Sequence, residues 1–175
     1  MLGLTPLGVV HTIISLVAVA AAIVALVRDH QLVATNRVGR VYVIATVLTC
    51  LTGLPIFQHG GFGPPHALAI ITLVVLAIVW AAAKTSVFGS WSRYVEVLGL
   101  SLTVFFHWVP AVTETSSRLP PGAPLTTGPN DPRVQAAVGV GFVLFLIGAF
   151  LQWRRLRRDA QAPQRALDLG GAHSR

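Results

Sequence analysis

The sequence predicts an all-α polytopic membrane bundle of five transmembrane helices, N-terminus outside and C-terminus cytoplasmic. Three observations predict it. Of 175 residues, 54% are apolar and only 11% charged, against roughly 25% charged in an ordinary soluble domain. Mean hydropathy is +0.70, and five apolar stretches approach the ~20 residues a helix needs to cross hydrocarbon about 30 Å thick. The basic residues sit at the ends of those stretches and in the C-terminal segment rather than within the apolar runs.

The elements follow in chain order. The first span runs from about Pro6 to Val27; no Lys or Arg precedes it and it exceeds the apolar core of a secretory leader, so it reads as a retained helix. The second, Val41 to Phe57, and the third, His66 to Ala83, are only just long enough. Between them HGGFGPP (His59 to Pro65) makes a tight outer turn, with glycines for unusual backbone angles and Pro64 and Pro65 setting the entry to the next helix. The fourth span is Tyr94 to Val112 and the fifth Val134 to Trp153. Pro55 and Pro110 fall near outer helix ends, where a lost backbone bond kinks a helix. Ala18 and Ala22, and Ala137 and Gly141, lie four apart and let helices approach closely.

Two segments lie outside the spans. Thr113 to Arg133 is proline-rich without helical or strand period, and is expected to be an extended outer cover. Residues 154–175 open with RRLRR and continue polar, which predicts a basic, largely disordered cytoplasmic tail after a transmembrane domain of residues 1–153.

Orientation follows from the thirteen Lys and Arg. Arg28, Arg37, Arg40, Lys84, Arg93, Arg154, Arg155, Arg157, Arg158, Arg165 and Arg175 share one side, and only Arg118 and Arg133 the other. The positive-inside rule makes the first side cytoplasmic. Tyr42, Trp80, Trp91, Tyr94 and Trp153 fall near that interface and Phe57, Phe62 and Trp108 near the outer one, as aromatic belts do. The formal net charge of +7 is placed for anionic lipid head groups at the Arg cluster and not for nucleic acid.

Composition also excludes chemistry. No phosphate loop, nucleophile elbow, zinc-protease helix or dinucleotide fingerprint occurs. The one cysteine, Cys50, lies in an apolar run, so no intrachain disulfide can form. An enzyme is the lesser expectation, because no nucleophile with its base is visible.

The histidines carry the functional signal. His30 falls in the first cytoplasmic loop and His173 in the tail, both solvated. His11, His59, His66 and His107 converge on the outer side, with Glu114 at the same level. His11 and His107 lie roughly 7 Å inside the outer boundary at 1.5 Å per residue, and ionisable groups at that depth turn inward, paired or liganded. At about 100° per residue, Glu96, Thr103, His107 and Glu114 form one stripe along the fourth helix. Three chemistries suit this set. A transition metal (zinc, copper or iron) would take His11, His66, His107 and Glu114. Haem b would take His11 and His107 as axial ligands. A proton pathway would use Glu96, Thr103 and His107. Against these stand interfacial roles for His59 and His66 and a plain i, i+3 pairing of Glu96 with Arg93.

The stretch Asn36 to His66, with His11 and the helix from Arg93, resembles an uncharacterised family of small bacterial polytopic membrane proteins. The shared features are Arg37, Gly39, Arg40, Tyr42 and Val43, then Thr52, Gly53 and Leu54, then Gly60 and Gly61. Asn36 stands where that family often carries histidine. The resemblance implies a multi-pass protein of the bacterial inner membrane with no assigned activity or catalytic residues. The combined expectation is an outer polar pocket between helices 1, 3 and 4 that binds haem or a metal for electron transfer or metal handling. The alternatives are an accessory subunit of a larger membrane complex, with no cofactor, and a proton or ion pathway.

Overall fold

The computed structural model describes residues 5–57 and 61–172, with side chains to residue 162. His59, Gly60, His173 and Arg175 lie outside the described residues. The regular elements are helices: α1 (Pro6–Asp29), α2 (Arg37–Gly53), α3 (Pro64–Lys84), α4 (Ser92–Arg118) and α5 (Pro132–Ala172), with a short 3-10 turn at Gly89–Trp91.

Local chemistry sets the helix starts. The Thr5 hydroxyl accepts the Gly8 N–H at 3.1 Å and the Asn36 side chain the Gly39 N–H at 2.7 Å, each satisfying a first-turn donor that has no partner inside the helix. Pro6 follows Thr5 directly, where its missing N–H costs nothing. Asp131 accepts the Arg133 N–H at 2.9 Å and starts α5 in the same way. At the other end of α1, His30 takes a left-handed conformation, φ 55°, and its N–H closes on Leu26 O.

Four helices, α1, α3, α4 and α5, are long and apolar enough to cross a membrane. At 17 residues, α2 reaches about 26 Å and carries three threonines, Thr46, Thr49 and Thr52, among its residues. It is the shortest and least apolar of the first three helices.

Neighbours run antiparallel. His11, early in α1, meets Thr52, late in α2; Gly99, early in α4, lies against Val79, late in α3; and Trp108 of α4 reaches Ala137 of α5. The first four helices close into a ring, α1 on α2, α2 on α3, α3 on α4, and α4 back on α1, while α5 lies along α4 outside the ring. The ring core is Ala18, Ala21, Ala22, Ala25, Tyr42, Ala45, Leu76, Val79 and Leu100, with Leu32 from the α1–α2 connection. Ala18 and Ala22 are 0% and 1% exposed, so the small residues do let α1 approach its neighbours. Alternation gathers Arg28, Arg37, Arg40, Lys84, Arg93, Arg154, Arg155, Arg157 and Arg158 at one end, here the basic end. Arg118 and Arg133 mark the other, the loop end.

Three expectations are corrected. The cover begins later than Thr113, because α4 continues to Arg118: Thr113, Ser116 and Ser117 return their hydroxyls to carbonyls of Val109, Val112 and Thr113, and Glu114 pairs with Arg118 one turn on. Residues 119–131 then fold back, with Thr126 N–H on Ser116 O at 3.1 Å and Arg133 Nη1 on Leu125 O at 3.2 Å. The segment from Arg154 is helical rather than disordered, since α5 runs unbroken to Ala172; its Arg, Leu, Ala and Gln are strong helix formers. Arg154 and Arg157 lie over the rings of Phe150 and Trp153. At its inner face Arg155 donates to Asp29 O and Gln152 to His30 O, tying α5 to the end of α1.

Candidate functional site

The polar residues of the ring meet across its diagonal. No Cα of α2 lies within 8 Å of one of α4, so long side chains bridge the gap. Tyr42 on α2 reaches Thr103 on α4, hydroxyl to hydroxyl at 2.7 Å, and both are completely buried. One turn toward the loop end, Thr46 Oγ1 meets His107 Nε2 at 3.1 Å. Thr46 also lies within reach of the Tyr42 hydroxyl, and the His107 ring stands edge-on to Tyr42 with centroids 6.0 Å apart. Thr103, Tyr42, Thr46 and His107 thus line up as two bonded pairs, one turn apart, in a single file. Nearer the loop end, His11 Nδ1 meets Thr52 Oγ1 at 3.2 Å, and the ring packs on the bare face of Gly53. His11 lies close enough to both His107 and Glu114 for charge on one to act on the other.

The hydroxyl protons assign directions, since each hydroxyl has one to give. Thr52 donates to Leu48 O at 2.7 Å, so it accepts from His11 Nδ1–H and leaves the lone pair of that ring on Nε2. Thr103 donates to Leu100 O at 2.8 Å, so Tyr42 donates to Thr103. For His66 the result is opposite: Nδ1 accepts the Gly63 N–H at 3.2 Å, which puts the proton on Nε2. That atom is buried without a hydrogen-bond partner. The ring is stacked between Phe57 and Phe62 at 4.8 and 5.4 Å.

The expected residues are therefore divided. His11 and His107 are brought onto one side of α2. His66 is spent on the entry to α3, and its Nε2 is a donor rather than a metal lone pair. Glu114 is half-exposed and paired with Arg118. Among the described residues no three His, Cys, Asp or Glu come together as a metal group, so the quartet His11, His66, His107 and Glu114 does not assemble. Both histidines meet side chains of α2, a helix that the expected pocket between helices 1, 3 and 4 left out. Two cavities of about 420 and 400 Å³ lie at the loop end, along Pro124–Thr127 with Asp131–Arg133 and between Trp108, Ser116 and Leu125, and neither is lined by His11 or His107.

Glu96 and Thr103 share the inner stripe of α4, with different partners. Glu96 is 5% exposed; it accepts the Ala34 N–H at 2.9 Å and pairs with Arg93 at 3.1 Å. It thereby pins the α1–α2 connection to α4.

Sequence reasoning found α2 as a helix but missed its part in the site. Tyr42, Thr46, Thr49 and Thr52 recur at three- and four-residue steps inside an apolar run, the period of one helix face. Hydroxyls in such a run are easily passed over, because they can satisfy themselves on their own helix, as Thr49 does on Ala45 O.

Fold and site together define an all-helical protein, in its described residues, with four helices of membrane-crossing grade and an internal imidazole–hydroxyl file. No protein family, curated protein or solved structure matches the chain.

Proposed function

We propose that the protein is a multi-pass membrane protein, of the bacterial inner membrane as the family resemblance implies, whose ring of helices houses a proton-transfer relay. α2 is the fifth span, the loop end faces outward and the basic end faces the cytoplasm with its arginines on anionic lipid. One observation carries the relay reading: two hydrogen-bonded pairs, Tyr42 with Thr103 and Thr46 with His107, lie one turn apart inside the ring with Thr46 within reach of the Tyr42 hydroxyl, followed toward the loop end by His11 on Thr52. Hydroxyls pass protons and imidazoles store them, and ionisable groups held inside an apolar bundle mark such paths. His11 is the entry group, with Nε2 as its base, and His107 the inner acceptor.

A second reading rests on the same His11 tautomer. A histidine that ligates a metal or haem iron usually donates its other N–H to a fixed acceptor, and Thr52 is such an acceptor. His11, with His107, would then bind haem b or a single metal ion. Histidine nitrogen-15 spectra in lipid, with an absorption spectrum and metal analysis of the same sample, separate the two. The relay predicts a colourless, metal-free protein in which both histidines titrate and His107→Phe alters the His11 titration. A Soret band or one equivalent of metal, lost in His11→Ala, overturns it in favour of the cofactor.

A further inference from the structure

The relay differs at its two ends. Toward the loop end, polarity increases outward: His107 and His11 are partly exposed, Thr52 likewise, and Glu114 is 49% exposed at its side chain. Toward the basic end the chain stops. Its last bond is Thr103 Oγ1–H to Leu100 O, and a backbone carbonyl has no proton to hand on. The next ionisable group, Glu96, lies seven residues away on α4, about 10 Å along the axis. Between them Val97, Leu100 and Leu32 are each 0% exposed. Leu32 and Leu100 pack in one cluster with Tyr42, and Val97 packs with Val33 and Leu156 in the next. A buried water needs two to four polar partners, and these side chains offer none. The Glu96 carboxylate is itself turned aside, onto the Ala34 N–H and Arg93.

From this juxtaposition we infer that the relay is single-ended: it exchanges protons with the loop side only, and a seal of Leu32, Val97 and Leu100 separates it from Glu96 and the basic end. The inference rests on the relay reading and assigns its access. The ionisable groups facing the file are His11 from α1, Tyr42 and the buried Cys50 from α2, and His107 and Glu114 from α4. Beyond the seal stand Glu96 and Arg93. No bond is made or broken except O–H and N–H, each proton passing to the next lone pair in the file. A single-ended relay at rest serves a proton-consuming or proton-coupled event on the loop side. Conduction across the membrane would need the seal to part.

The test uses the full chain in proteoliposomes loaded with a pH-sensitive dye, under a potassium potential set by valinomycin. Wild-type protein is expected to pass no more protons than empty vesicles. Placing hydroxyls or amides across the seal, in Leu100→Asn with Val97→Thr, should raise proton flux about tenfold or more, equivalent to lowering the barrier by about 1.4 kcal/mol. Adding His107→Phe to that background should return it to baseline. Leu100→Ser alone is the milder variant should the double one fail to fold, judged by helical circular dichroism and a single elution peak. Wild-type conduction, or a folded opened variant that stays silent, overturns the single-ended assignment. Histidine titration in the same lipid reports separately on the relay: if neither His11 nor His107 titrates between about pH 4 and 8, the relay reading itself has failed.

Discussion

Gly39 has almost no room to become anything else. A Cβ there would collide with the Val33 carbonyl oxygen, a backbone atom at the turn into α2 that cannot swing aside. Gly39→Ala should therefore destabilise the bundle by about 1–3 kcal/mol or more, read as a lower thermal midpoint of helix loss in detergent. Unchanged melting would show that the turn can be reshaped. Glu96 is sensitive for another reason. Removing its carboxylate strands the half-buried Ala34 N–H, a loss of about 1 kcal/mol or more, while an amide at that place still accepts the bond. Glu96→Ala should thus lower the midpoint clearly and Glu96→Gln much less, since the partly exposed Arg93 pair contributes little by itself. Equal effects of the two variants would contradict an anchoring role for the oxygen.

At the level of elements, α5 is the least embedded helix: its apolar window is only 6% buried, its backbone lies close to α4, and it reaches α1 through Arg155 on Asp29 O. Its seating depends on Trp108, which donates to Ala137 O at 3.0 Å and fills the space left by Gly141. Any side chain at Gly141 would displace that indole. Gly141→Leu should shift the tryptophan emission and speed proteolysis of the α4–α5 loop, whereas Gly148→Ala, with open space around it, should do neither. The loop carries its own pH dependence. Backbone N–H groups of Arg133 and then Thr127 hold the Asp131 carboxyl below its ordinary range. Because the folded value is depressed, the stabilisation is present above the unfolded value near 4 and is lost as pH falls through the folded one. Acid should therefore loosen residues 119–131, and Asp131→Ala should show the loosened loop already at neutral pH. Protease cutting within the loop across that range checks both.

On the scale of the whole molecule, the alternating helices sort charge to the two ends and leave an apolar girdle between them. Ile13, Leu16 and Ile23 on α1, Ile44 and Leu51 on α2, Val74 on α3 and Val140, Leu144 and Leu151 on α5 are all well exposed. That surface belongs in lipid. With the buried Cys50 replaced by Ala, a cysteine at Thr127 should react with an impermeant maleimide on intact cells. One at Ala162 should react only after permeabilisation. The reverse pattern would invert the proposed orientation.

Much of this architecture was legible in the amino-acid order, because hydrophobic length and the placement of arginine are one-dimensional properties. They mark the four long apolar helices and the basic end without knowledge of neighbours, and Asn36, Pro64 with Pro65, and Asp131 with Pro132 punctuate the helix starts by local chemistry alone. The i, i+3 pairing of Glu96 with Arg93 was legible for the same reason; the capture of Ala34 by the same carboxylate was not. Site composition lay equally beyond reach. His11, His66 and His107 look alike in a sequence, and only the packing of α2 against α1, with α4 facing it across the ring, decides that two of them meet hydroxyls on α2 while the third is consumed by Gly63 and two phenyl rings. Which atoms approach one another depends on the rotation of each helix about its axis, and that rotation is set by the sum of all contacts around the ring rather than by any segment of it.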